Sequence, residues 1–306
     1  MLLHRRIDAA SLLTAIVVFC LALTSFATEH RRQVIVAPDG SGSFTNIAAA
    51  VDSIQDATEA DPVDIWIKPG TYVETIKTKN WVNLVGEDCE TCIVTYSISA
   101  DKTHETYKYH TIWATSCTTI KNLTLVGGRV KYVIHSDGGR PYVLNIENCT
   151  LRRESKDPQV KLGPAFGIGL WANQHIVMKN CHLEAPLPIY WHKHYDQKAG
   201  CSMTLETCAL KGQDYAIRLG MLGSKQQDFF VIHDSVLEGA KGAILYTNQR
   251  NVKGVPWNGQ DEARLVGSGN RMGDVTGTTM LDDRARRATG QDLARPPARI
   301  DPTDRR

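Results

Sequence analysis

Leu144-Asn145-Ile146-Glu147-Asn148-Cys149-Thr150-Leu151 reads LNIENCTL, and its pattern recurs along the chain. The copies are TTIKNLTL from Thr118, IVMKNCHL from Ile176, MTLETCAL from Met203 and FVIHDSVL from Phe230. In LNIENCTL the apolar residues alternate through Leu144 and Ile146, then change parity so that Cys149 and Leu151 share the inner face. A parity change within so short a run marks a bend, and asparagine and aspartate tolerate bends because their side chains bond to the local backbone. The bend falls on Asn122, Asn148, Asn180, Thr207 and Asp234 in successive copies. Stacked copies therefore predict a polar ladder of these residues at one corner. Beside it Leu123, Cys149, Cys181, Cys208 and Ser235 form an inward stack, in which the cysteines act as small hydrophobes.

A second apolar segment follows each copy, centred on Ile134, Ile168, Ile189, Ile217 or Ile244. The repeat is about 27 residues, stretched once to about 32, which suits a coil of short strands joined by variable loops. Two or three strands per turn, each paired in parallel with its copy one coil away, describe a right-handed parallel β-helix. A β-propeller would need antiparallel hairpins, and these units lack their turns.

The 306-residue chain is 42% hydrophobic and 22% charged, as an ordinary globular protein is. Its 35 Lys and Arg nearly balance its 33 Asp and Glu, so the basic footprint of a nucleic-acid partner is missing. His4, Arg5 and Arg6 precede an apolar run ending in Ser25-Phe26-Ala27, which predicts a signal peptide over 1–27 and a secreted or periplasmic protein. An uncleaved membrane anchor is the alternative. The β-helix domain is expected over 28–281, and the charged, proline-bearing stretch 282–306 is read as a disordered tail. Beyond Cys20 the cysteine count is odd, which argues against a fully paired framework. Cys89 and Cys92 are left as a local disulfide or two thiols. No cofactor is expected, and His192-Lys193-His194 without a matched third ligand is too weak to predict a metal site.

The N-terminal part adds a resemblance. VIVAPDGSGSFTNIAAAVDSI from Val34, DIWIKPGTYVETIKT from Asp64 and VNLVGED from Val82 resemble the opening of pectin methylesterases and their pectin-lyase-like relatives. The carrying features are the Asp39-Gly40-Ser41-Gly42 turn with Phe44, a short amphipathic helix near Ala48–Ile54, and Gly70, Tyr72 and Glu74. The resemblance implies a pectin-lyase-like β-helix whose end is covered by that helix. It further implies pectin ester hydrolysis, with Asp214 at the position of the family's nucleophilic aspartate. The other family residues do not follow: Lys131-Tyr132-Val133-Ile134-His135 stands where the family has QAVAL, no QDTL occurs, and Val255 replaces the arginine of GRPW.

If Ile217 points inward, simple alternation turns Asp214, Ala216, Arg218 and Gly220 outward. The same register exposes His135, Asp137, Gly167, Gly169, Trp171, Tyr190 and His192. This face resembles a sugar-binding groove, with Trp171 and Tyr190 as platforms and Asp137 beside them. The candidate catalytic residues are Asp214, Arg218, His192 and His135, with Arg218 holding a sugar carboxylate and a histidine as acid/base near neutral pH. The expected partner is an acidic or esterified polysaccharide, and the chain is expected to be a monomer. Eliminative cleavage, with Arg218 as base and Tyr190 as proton donor, and a non-catalytic glycan-binding β-helix are the rival readings.

Overall fold

The computed structural model describes residues 32–102, 108–155, 162–170, 172–193, 197–221, 226–248 and 263–272. The proposed signal segment, the tail, Trp171, His194 and the 254–257 segment lie outside them. Among the described residues, no helix is long and apolar enough to cross a membrane.

The described chain is an all-β parallel β-helix of three sheets. Nine strands form the first, from Arg32–Val36 to Ala263–Ser268; eight form the second, from Gly70–Val73 to Arg271–Met272; seven form the third, from Ile76–Lys77 to Gly242–Asn248. Along the chain each coil passes from first sheet to second to third, and every strand pairs in parallel with its neighbours one coil away. LNIENCTL spans the corner between the first two sheets. Leu144, Ile146, Cys149 and Leu151 all point into a fully buried core.

The ladder forms where the sequence predicts it. Asn122, Asn148, Asn180, Thr207 and Asp234 all adopt left-handed backbone, with φ of 54°, 49°, 52°, 55° and 49°. The amide of Asn180 donates to Asn148 Oδ1 (3.2 Å), that of Asn148 to Asn122 Oδ1 (2.9 Å), and that of Asn122 to the Gly86 carbonyl (3.2 Å). Backbone bonds continue the corner, from Thr207 N to His233 O (3.1 Å) and from Asp234 N to Ser268 O (3.0 Å). The inward stack of Leu123, Cys149, Cys181, Cys208 and Ser235 is buried beside it. Burial pushes the Cys149 thiol up to about 12, so it stays a neutral packing group. All seven described cysteines are free, Cys89 and Cys92 included.

The N-terminal motif residues lock a cap onto the first coils. The helix Ile47–Ser53 buries Ile47, Ala50 and Val51, and Asn46 Oδ1 accepts the Ala49 N–H. Glu74 carries its carboxylate to the same end and accepts from Ile47 N (2.8 Å) and Ala48 N (2.7 Å). This satisfies two N–H groups that the helix cannot bond itself. Tyr72 Oη donates to the Lys68 carbonyl at 2.9 Å. Gly70, at φ 156°, leaves room for Pro38, whose ring would lie 2.6 Å from an added Cβ. Glycine, tyrosine and glutamate thus hold the turn, strand and helix together.

Candidate functional site

The outer face of the third sheet carries the candidate residues in two rows. The first runs Trp113, His135, Gly167, Tyr190, Arg218 in direct register, and the second runs Asp137, Gly169, His192, Gly220. Tyr190 and Arg218 are immediate neighbours, as alternation predicts. The Arg218 guanidinium lies over the Tyr190 ring, 5.3 Å from its centroid, and His192 stacks on that ring at 5.6 Å and 10°. Tyr190, His192 and Arg218 form one aromatic–cation cluster, partly open to solvent.

A second cluster lies toward the N-terminal end of the face. His135 Nε2 is 3.6 Å from Asp137 Oδ2. The His135 ring also packs against His110 (4.7 Å between centroids), Tyr132 (4.8 Å) and Trp113 (5.6 Å). These rings leave the His135 side chain 9% exposed, where alternation had predicted an open position. Burial, then the neighbouring His135 and Lys131, lowers the His110 pKa to about 4, so His110 is neutral at neutral pH. Burial also drives the Tyr132 hydroxyl well above its ordinary range.

His110, Trp113 and Tyr132 are members that the sequence reading missed. Their signal is the segment His110-Thr111-Ile112-Trp113, another strand centred on an inward isoleucine. It precedes the first ladder copy and so fell outside the repeat.

The glycines do not leave a bare floor. A Cβ on Gly167 would fall 2.2 Å from the Tyr132 ring, and one on Gly169 would fall 2.7 Å from the Asp137 carboxyl. The glycines let side chains of the preceding coil lie flat across the strand. Gly220 similarly faces Tyr190 Oη, 3.3 Å from an added Cβ.

Asp214 does not join either cluster. Simple alternation fails because Ala216 and Ile217 are both fully buried in the core, as are Ala165 and Phe166 two coils earlier and Val133 and Ile134 three coils earlier. Two successive inward residues at the start of each strand shift everything before them. Asp214 therefore sits at the corner, where its carbonyl accepts Lys241 N (2.9 Å) and its carboxylate pairs with Lys241 Nζ (2.8 Å). The carboxylate holds the Lys241 ammonium above its ordinary pKa. His192 faces outward as predicted, whereas Lys193 turns into the interior, fully buried, and donates to the Gln226 carbonyl. Among the described residues, no group of three or more His, Cys, Asp or Glu side chains is placed to hold a metal ion.

Coils of parallel strands around an apolar core, with a polar outer face on one sheet, define a parallel β-helix. Residues 33–127 match the sequence model of the family described as Pectinesterase. Among solved structures, the pectin methylesterase PemA of Erwinia chrysanthemi aligns with a TM-score of 0.50 at 13% identity, covering 86% of this chain and 96% of that one. The Yersinia enterocolitica pectin methylesterase gives 0.47 at 12% identity over 77% and 92%, and Escherichia coli ybhc gives 0.48 at 13% over 78% and 71%. No curated protein sequence matches. The chain thus carries a pectinesterase-like sequence over residues 33–127 on a parallel β-helix; at these identities the structural likeness speaks for the fold alone.

Proposed function

We propose that the protein is exported and hydrolyses esters on an acidic polysaccharide bound along the outer face of the third sheet. The observation that carries this is the single outward row joining two chemically different clusters. His135 and Arg218 are three strand steps apart, about 14 Å at the usual spacing. One sugar unit cannot touch both, so the row suits an extended polymer with an apolar-aromatic floor between them. Arg218, stacked on Tyr190 beside His192, holds a carboxylate of one unit. At the other cluster His135 takes a proton from the water that attacks the ester carbon. Asp137 stabilises the imidazolium that results, and the neutral His110 adds no competing charge. The proton then passes from His135 to the departing alcohol oxygen. The ion pair of Asp214 with Lys241 favours this assignment over Asp214 as nucleophile.

The stack of Arg218 on Tyr190 also favours a second reading, elimination with Arg218 as base and Tyr190 as donor. The test is the purified chain on methylated and demethylated polygalacturonate, following methanol and the absorbance of unsaturated products together. Methanol release lost in His135→Ala and retained in Asp214→Asn is the expected result. Methanol abolished by Asp214→Asn would overturn the histidine mechanism, and unsaturated products without methanol would establish elimination. Release of neither would leave a glycan-binding protein, read out by retention on the polymer.

A further inference from the structure

Behind the third-sheet face, at the corner where the second sheet turns into it, an open cavity has Thr95, Ser97, Arg129, Arg153, Glu154 and Ser155 as its polar lining. Arg153 ends the strand Thr150–Arg153 and also borders the adjoining cavity. It is 7% exposed. Among the described residues only its Nη2 is bonded, donating to the Val130 carbonyl at 2.7 Å, while the buried Nε and Nη1 have no partner there. The room for it comes from Gly127, where an added Cβ would lie 3.0 Å from Nη1. The nearby carboxylate is already taken, since Glu154 Oε1 pairs with Arg152 Nε at 2.6 Å. A guanidinium so placed bears the cost of desolvation without a counter-charge among the described residues. That burial brings the Arg153 pKa down to about 10, still fully charged at neutral pH.

We infer that this cavity is a binding site for the carboxylate of a uronate sugar, with Arg153 as the anchoring cation and Arg129 and the Thr95, Ser97 and Ser155 hydroxyls around it. An anion in the cavity supplies the counter-charge that the buried guanidinium lacks among the described residues. The cavity shares no lining residue with the His135 cluster, so the site is distinct from it. The inference rests on the reading of an acidic polysaccharide and adds a second point at which its charge is recognised.

The test is thermal unfolding of the full chain with galacturonate, galactose or acetate, for wild type, Arg153→Met, Arg153→Lys and His135→Ala. Galacturonate should raise the wild-type midpoint by selective binding to the native state. The rise should vanish in Arg153→Met, shrink in Arg153→Lys and persist in His135→Ala. Without ligand, Arg153→Met should melt no lower than wild type, because an apolar side chain removes an uncompensated buried charge. A rise that survives Arg153→Met, or that neutral galactose reproduces, overturns the site. A fall of several degrees for ligand-free Arg153→Met shows a structural arginine and also overturns it. A rise that acetate matches at equal concentration overturns the sugar assignment. Methanol release in the separate polymer assay tells whether the reading of the outer face stands, independently of these results.

Discussion

Gly167 and Gly220 both face outward on the third sheet, one in each row, yet their surroundings predict different consequences for the same change. Gly167→Ala drives a methyl into the Tyr132 ring, 2.2 Å away, and the ring cannot retreat because it packs against His135. That variant should lose roughly 1–3 kcal/mol, the usual cost of overpacking, and lose activity with it. Gly220→Ala meets Tyr190 at 3.3 Å, which a small ring shift relieves, and should stay near wild type in denaturant unfolding. His110 gives a second test at this scale. Its folded pKa of about 4 lies below the unfolded value of 6.5, so the unfolded chain binds the extra proton first as pH falls. The contribution is complete above pH 6.5, declines between 6.5 and 4, and falls no further below that. His110→Gln should flatten the dependence of the unfolding midpoint on pH in that window. Arg218→Ala should raise the KM for polymer at least tenfold with little change in fold, since the side chain projects from the outer face.

At the scale of the element, the corner after each first-sheet strand combines two demands: left-handed backbone and a donor aimed at the previous coil. Asn148→Ala fails both and should cost about 2–3 kcal/mol, adding backbone strain to lost amide bonds. Asn148→Gly removes the strain only and should cost about 1–2 kcal/mol, a ranking that urea unfolding can check. This corner was legible in the sequence because one residue type marks it repeatedly and the parity change beside it appears in every copy. The starts of the third-sheet strands were not. Small residues there, Ala216 and Ala165 among them, go inward beside an isoleucine or phenylalanine, and nothing in alternation distinguishes that from an outward alanine. The misreading displaced Asp214 from face to corner. It spared Tyr190, His192 and Arg218, which follow the inward pair and keep the simple register. His135 was found, but its covering rings come from residues too far apart in sequence to be read as one group.

Over the whole molecule, each coil touches mainly its neighbours, so stability is a sum of coil terms and interfaces between them. The outer surfaces show how adjacent coils are matched. On the first sheet Lys121, Glu147, Lys179 and Glu206 follow one another in register, with Lys121–Glu147 at 3.3 Å and Lys179–Glu206 at 2.7 Å. On the second, Arg152, Glu184, Lys211 and Glu238 alternate likewise. Each exposed pair contributes little, within about 1 kcal/mol. Their alternation matters more, because a coil stacked one place too far meets its own charge. Glu147→Lys should therefore lower the unfolding midpoint modestly at low salt, with the loss shrinking as salt screens three consecutive lysines.

The amide chain of the corner also has a direction. Each asparagine donates toward the N-terminal end, from Asn180 to Asn148 to Asn122 and finally to the Gly86 carbonyl. Each rung therefore donates its amide N–H downward and offers its Oδ1 upward, so an added rung would find an acceptor waiting. Tandem duplication of one full period, such as residues 122–147, would join the chain with the same corner bonds at either junction. The length of the outer face, and with it the number of units of the proposed polymer that it could span, is in that sense a heritable variable separate from the chemistry displayed on it.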